Sequence, residues 1–266
     1  MTNPIFLLTP LLLLLYWHIL ERIYGTTENI SSMNDNLPQH SVAQFEREIK
    51  ELKGLVLRMA GAVEQRVATV VEAIAEGNAD RTQWVIESDS EINNLERQVD
   101  EMCVGIMARR QPVAIDLRLL TTALKISTDL ERIGDETQRI AQVIKKLNFS
   151  TAPEEMRQTF RELGAQVISM LHDAIDSYAR NDVELSTHTC KQDRYADQSY
   201  RTLLEEQLPE FTRNNIYHIP YILDLVWCAR SLERIGDHTK NVAEQVIYMV
   251  EATDVRHRKV KSLSSH

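Results

Sequence analysis

Two pairs of carboxylates carry the clearest chemistry in this sequence. Glu131 and Asp135 are four residues apart, and so are Glu233 and Asp237. On a helix that spacing puts both groups on one face about a turn apart, where they repel by a few tenths of a kcal/mol even when exposed. Gly134 and Gly236 lie inside these pairs. A glycine in a helix interior costs about 1 kcal/mol relative to alanine. Close approach of a neighbouring helix would offset that cost; so would room for an ion beside the backbone. Carboxylate oxygens take hard cations such as magnesium, and iron, zinc and manganese accept them too. Asp193 with Asp197, and Asp89 with Asn93, repeat the four-residue spacing and are candidate partners from other helices. Facing pairs would hold one ion or a small cluster, sensitive to pH and to chelators. A second reading stays open, in which Glu131 and Glu233 pair with arginines of adjacent helices, Arg132 and Arg234 among them.

Other chemistry finds little support. No Glu-x-x-His occurs, which disfavours a ferritin-like di-iron centre. No GxxxxGK[ST], GxGxxG, GxSxG or HExxH occurs either. The eight histidines are scattered; His238 follows Asp237 directly and could touch the second site, although a lone histidine on a helix surface is more often solvated. Cys103, Cys190 and Cys228 are odd in number and far apart, as free buried thiols in a reducing compartment would be. The rival functional class is a metal-dependent enzyme or metal store built on the carboxylate clusters.

The elements that position these residues are helices. The chain has 266 residues, 43% of them hydrophobic and 26% charged, with 8 glycines and 7 prolines. So few turn formers, with aromatics at 6%, argue against an all-β fold. The formal charge of −9 excludes nucleic acid as the expected partner. Phe45, Ile49, Leu52, Leu55, Val56, Met59, Val63, Val67, Val70 and Ile74 recur at spacings of three and four, one apolar stripe on a long helix. A helix stop at Gly77-Asn78 leads to a second helix from about 79 to 110, with Asn78 or Asp80 as cap. Gln111-Pro112 ends it, and a third helix covers about 113 to 146. After a linker ending at Pro153 the pattern restarts: helix at 154–180, turn and cap at Asn181-Asp182, helix at 183–207, loop at 209–218, helix at 219–251. Leu-Glu-Arg-Ile-Gly-Asp stands at 130–135 and again at 232–237, and Glu72-Ala73-Ile74 aligns with Asp173-Ala174-Ile175. The expected architecture is all-α, two tandem, pseudo-symmetric three-helix bundles at 41–148 and 154–252. A basic tail follows at 253–266, read as a solvated end or, less readily, as a contact for an acidic partner or lipid headgroups.

Residues 1–32 stand apart. Residues 5–20 read IFLLTPLLLLLYWHIL, an apolar run interrupted by Pro10 and shorter than the roughly 20 residues of a membrane span. It lacks the basic start and cleavage site of a secretory signal. Three readings compete: a mistaken start with Met33 as the true first residue, a membrane-associated helix, and a targeting segment.

With its doubled Leu-Glu-Arg-Ile-Gly-Asp, its Arg109-Arg110-Gln111-Pro112, its Asp116-Leu117-Arg118-Leu119 and its stretch from Cys228 to His238, the sequence resembles the PhoU family of bacterial phosphate-signalling regulators from about Met33 to Met249. The resemblance favours Met33 as the start. It implies paired three-helix bundles and, in several members, multinuclear metal clusters held by E/D-x-x-x-D motifs. Glu131 with Asp135, Glu233 with Asp237 and Asp193 with Asp197 match that motif. Asp89 with Asn93 departs from it, an amide replacing the second carboxylate, which puts metal at that site in doubt. It further implies a cytoplasmic, often dimeric adaptor without enzymatic activity. Such an adaptor would be peripheral to the membrane through its partners, the ATPase subunit of the phosphate ABC transporter and a sensor histidine kinase. It would restrain phosphate uptake and the phosphate regulon when phosphate is plentiful.

Overall fold

The structure, a computed structural model, describes residues 37–76, 79–147, 152–214 and 219–256. The chain forms two compact units, Met1–Ile49 and Lys50–His266. Of the first, only the helical residues from Leu37 are described; the apolar leader and its competing readings lie outside the described residues, as do Gly77, Asn78 and the tail beyond Arg256.

Among the described residues eight α-helices follow one another and no strand occurs. They are α1 (Leu37–Glu76), α2 (Gln83–Glu87), α3 (Asp89–Arg110), α4 (Ile115–Ile144), α5 (Glu154–Arg180), α6 (Val183–Arg201), α7 (Leu208–Asn214) and α8 (Ile219–Glu251). The stripe on α1 is buried from Leu52 to Ile74, as its spacing requires. In α4 the buried positions include Leu130, Ile133, Thr137, Ile140 and Ile144; in α8 they include Leu232, Ile235, Thr239, Val242 and Val246, the same places 102 residues on. Even the buried hydroxyls match: Thr137 Oγ1 donates to the Ile133 carbonyl at 2.6 Å and Thr239 Oγ1 to the Ile235 carbonyl at 2.7 Å.

Two boundaries differ from the sequence expectation. The helix expected from 79 to 110 is broken at Ser88 into a 3-10 turn (Asp80–Thr82), α2 and α3. The cause lies in α1. Arg66, 1% exposed, donates to the Ser88 carbonyl and reaches Glu91 Oε2 at 3.3 Å. A buried guanidinium must be satisfied, and turning the Ser88 carbonyl toward it takes Ser88 out of helical register, at φ −90° and ψ 7°. Asp80 lies in the first turn there, and Ala79 stands at the N-cap. The second difference is at 209–218, expected as a loop. Leu208–Asn214 is helical instead, reached through a π-helical stretch at Thr202–Gln207. The chain stays helical without a break from Val183 to Asn214, so Pro209 lies inside a continuous helix; the wider bonding just before it, with the Leu208 N–H on the Leu203 carbonyl, accommodates the residue that lacks a donor.

The turns that were legible hold. Gln111 is left-handed (φ 48°) just before Pro112, and Asn181 is left-handed (φ 56°) at the end of α5. Asp182 then caps α6 by accepting from the Leu185 N–H at 2.9 Å.

Within the second unit, α5, α6 and α8 pack on one another, and α3 packs on α4. The two sets meet along two helix pairs. Val71 of α1 seats against Gly164 of α5, with Glu64–His172 and Lys53–Asn181 contacts along the same pair. The motif helices α4 and α8 run antiparallel: Arg118 bonds the Met249 carbonyl, Asp129 meets His238, and Glu136 meets Ser231.

Candidate functional site

The helices that face the motifs are placed by packing at the motif glycines. A methyl added to Gly134 would meet Ile92 of α3 at 3.4 Å; one added to Gly236 would meet Ala196 of α6 and Val167 of α5 at 3.8 Å. Ile92 and Ala196 are therefore equivalent, which puts Asp89 in register with Asp193 and Asn93 with Asp197. These distances are ordinary van der Waals contacts, so close helix approach does not by itself demand either glycine.

In the second half four carboxylates gather. Asp193 is buried, Asp197 and Glu233 are half-buried, and Asp237 stands at the exposed rim. Burial and the Asp193 charge hold the Asp197 carboxyl above the usual range. Glu233 is raised by burial and by Asp237, Asp197 and Asp193; Asp237 is raised by burial, Asp193 and Asp197. Lys240 moderates the crowding: its Nζ lies 2.5 Å from Asp193 Oδ2. Burial alone would lower the Lys240 ammonium, but its bond to Asp193 and the charges of Asp193, Glu244 and Asp237 raise it overall. Arg230 Nη1 pairs with Glu233 Oε1 at 2.9 Å, whereas Glu233 Oε2 is buried with no hydrogen-bond partner.

The first half is built differently. Glu131 and Asp135 are half-buried and Asn93 is exposed, while the side chain of Asp89 lies outside the described residues. Among the described residues Glu96 of α3 feels the charge of Asp135: its carboxyl is raised by burial first, then by Asp100 and Asp135, with a Thr128 hydrogen bond and Arg132 acting against the rise. Glu96 and Asp100 are themselves four residues apart, a signal of the same kind as the others but not singled out in the sequence. Among the described residues no three histidine, cysteine, aspartate or glutamate side chains stand grouped as ligands of one ion.

The arginine reading expected a partner from an adjacent helix, but Glu233 takes one from its own. Arg230, not Arg234, pairs with Glu233; Arg234 reaches across to Glu136 of α4 at 3.1 Å. His238 is not a solvated surface group. With a side chain 12% exposed, it places Nδ1 2.9 Å from Asp129 Oδ1, which also accepts from Asn241 at 3.2 Å. The mirrored contact is Glu136, which accepts from Ser231 at 2.8 Å and pairs with Arg139 at 2.8 Å. Asp129 and Ser231 are equivalent positions, as are Glu136 and His238, so one pseudo-symmetric contact occurs twice with different chemistry. Sequence reading missed it; the one available signal was two carboxylates on the buried side of the α4 stripe. The three cysteines are free and buried. No described helix is long and apolar enough to cross a membrane.

Comparison with known proteins agrees with this duplication. The PhoU domain matches residues 56–144 and again 160–246. The phosphate-specific transport system accessory protein PhoU homolog of Pseudomonas putida is 40% identical over 232 residues, spanning 87% of this chain and 90% of that protein. The accessory protein PhoU of Escherichia coli K12 is 36% identical over 222 residues, spanning 84% of this chain and 91% of its own. The crystal structure of PhoU from Pseudomonas aeruginosa superposes with a TM-score of 0.75 at 39% identity, over 79% of this chain and all of that one. A second, from Streptococcus pneumoniae, shares the fold with a TM-score of 0.70 at 23% identity. With the domain present twice, each copy carrying its own acidic-glycine word on the helix that meets the other, this chain belongs to the PhoU family.

Proposed function

We propose that this chain is a non-enzymatic regulator of phosphate transport that acts as a cytoplasmic adaptor, peripheral to the membrane, between the ATPase subunit of a phosphate ABC transporter and a sensor histidine kinase. The observation that carries the reading is the doubled PhoU domain, shared over most of the chain with relatives named as accessory proteins of phosphate-specific transport. The role is negative: with phosphate plentiful it holds down both uptake and the phosphate regulon. A homodimer is part of the proposal. A null strain is expected to express alkaline phosphatase constitutively in high phosphate; normal repression there would refute the regulatory role. Pull-down from cells grown at high and low phosphate, probed for the ATPase and the kinase, tests the adaptor role separately.

We also propose a cation at the second-half cluster, in line with the metal motif of the family. Two observations support it: the raised carboxyls of Asp197, Glu233 and Asp237 beside Asp193, and a buried Glu233 oxygen without a hydrogen-bond partner; no three of these acids stand grouped as ligands of one ion, so binding requires them to draw together. Asp193, Asp197, Glu233 and Asp237 would hold an ion such as magnesium, manganese, iron or zinc, whose contribution is charge neutralisation. To admit it, Lys240 must release Asp193. Glu131, Asp135, Asp89 and Asn93 form the weaker first-half candidate, with one carboxylate fewer. Thermal unfolding of the purified chain with each metal, then with chelator, is expected to show a reversible rise in melting temperature that Asp237→Asn abolishes. No rise with any of the four metals would remove the cation.

A further inference from the structure

A cleft of about 570 Å³ opens along α8, and its lining carries more cations than carboxylates. Four permanent cations line it, Arg230, Arg234, Lys240 and Arg256, against two carboxylates, Asp237 and Glu244, on a protein of formal charge −9. The cations are not loose. Each is held from outside the lining by one carboxylate: Arg230 by Glu233, Arg234 by Glu136, Lys240 by Asp193 and Arg256 by Asp254. A guanidinium has five N–H donors in a fixed fork. An ion pair on one side occupies one or two of them and orients the rest. Between about 40% and 50% of each arginine side chain remains exposed. Val255, buried beside Arg256, seats the segment after α8 and so fixes the fourth cation relative to the other three.

We infer that this cleft binds a small molecule bearing linked phosphates. Preset guanidinium forks match the paired oxygens of phosphate and give it charge-assisted, bidentate bonds. The carboxylates behind the cations cancel part of their field, so a singly charged anion gains little, while a multiply charged one can engage several forks at once. The volume exceeds what one tetrahedral oxyanion fills, and the cations are spread along it from Arg230 to Arg256. The first half supplies an internal control. The positions equivalent to Arg230 and Lys240 are Thr128 and Gln138, and only Arg132 keeps its charge. Duplication therefore preserved the acidic word in both halves, while the positions of Arg230 and Lys240 are cationic in the second alone. This inference does not depend on the regulatory reading, because it concerns what the isolated protein binds.

The test is calorimetric titration of the full-length chain, in chelator to exclude metal, with pyrophosphate, a nucleoside triphosphate, orthophosphate and sulfate. Pyrophosphate or the nucleoside triphosphate is expected to bind at least about tenfold more tightly than orthophosphate or sulfate. Arg230→Gln and Arg256→Gln are each expected to weaken that binding about tenfold, and Arg97→Gln, an exposed arginine on α3, to leave it unchanged. Binding by pyrophosphate alone identifies an inorganic chain of phosphates; binding by the triphosphate alone identifies a nucleotide. Arg256 lies beyond the end of α8 with half its side chain in water, so that variant keeps its fold, and an unchanged melting temperature verifies it. Equal affinity for sulfate, undiminished binding in both variants, or no binding at millimolar ligand would each overturn the assignment.

Discussion

Leu130 to Asp135 on α4 and Leu232 to Asp237 on α8 have the same six residues and the same buried stripe, yet they face different partners. On α8 the word faces Asp193 and Asp197 across α6, with Lys240 set among the acids. On α4 the equivalent α3 positions are Asp89 and Asn93, Gln138 stands where Lys240 does, and Glu96 feels the charge of Asp135. Identical local sequence thus leaves the electrostatics undetermined; the facing helix sets them. The interface between the halves makes the same point. Asp129 meets a histidine and an amide, while Glu136 meets a hydroxyl and two arginines.

Four matched pairs of substitutions would break or sharpen this contrast. The largest effect is expected at Glu136, 2% exposed: Glu136→Ala takes the acceptor from buried Ser231 and the shared carboxylate from the half-exposed Arg234 and Arg139, and should cost about 2–3 kcal/mol in urea unfolding. Asp129→Ala, whose partners carry less charge, should cost less; equal losses would show that the two contacts are energetically alike. Next, Lys240→Met should cost about 2 kcal/mol by leaving buried Asp193 unpaired, whereas Gln138→Met should cost well under half of that. Similar losses would deny that the ammonium serves the acidic cluster.

The third test is Asp237→Asn. Because the folded-state pKa values of Asp197, Glu233 and Asp237 are raised, the folded chain binds protons more readily than the unfolded one. The stability these groups contribute is fully present below the ordinary values near 3.8 and 4.5 and is lost as pH rises through their raised values. Asp237→Asn should therefore stabilise at neutral pH by a few tenths of a kcal/mol or more and flatten the acid end of the melting-temperature profile. Asp135→Asn is the matched control, and an equal gain there would deny that the facing helix sets the electrostatics. The smallest expected effect is at the glycines. Gly236→Ala has space for its methyl and should gain up to about 1 kcal/mol of helix propensity, while Gly134→Ala, tighter against Ile92, should gain less. A loss of stability at Gly236 would reveal a constraint that the contacts do not show.

Much of the fold was legible because its signals are local. The α1 stripe, the Asn181-Asp182 turn and the Gln111-Pro112 break each follow from spacing or backbone chemistry within one element. The Ser88 break was not legible, since its cause is Arg66, twenty-two residues away on another helix. Nor was the helical turn at Leu208–Asn214, where Pro209 read as a breaker although the π-helical stretch before it carries the helix through. The candidate site divides in the same way: the acidic pairs were visible as pairs, but Glu96 was passed over because nothing in its own helix says which face meets α4.

By itself the sequence determined an all-helical chain, its duplication, and the four-residue spacing of its acids, since helix periodicity and an identical repeated word are written along the chain. Tertiary structure alone decided which acids meet, that His238 and Glu136 fill mirrored places between α4 and α8, and that four cations share one cleft. The physical reason is that rotation and axial register between packed helices are set by side chains far apart in sequence, Ile92 on Gly134 and Ala196 near Gly236 among them. A shift of one turn there would exchange every charge-to-charge distance without altering a single helix.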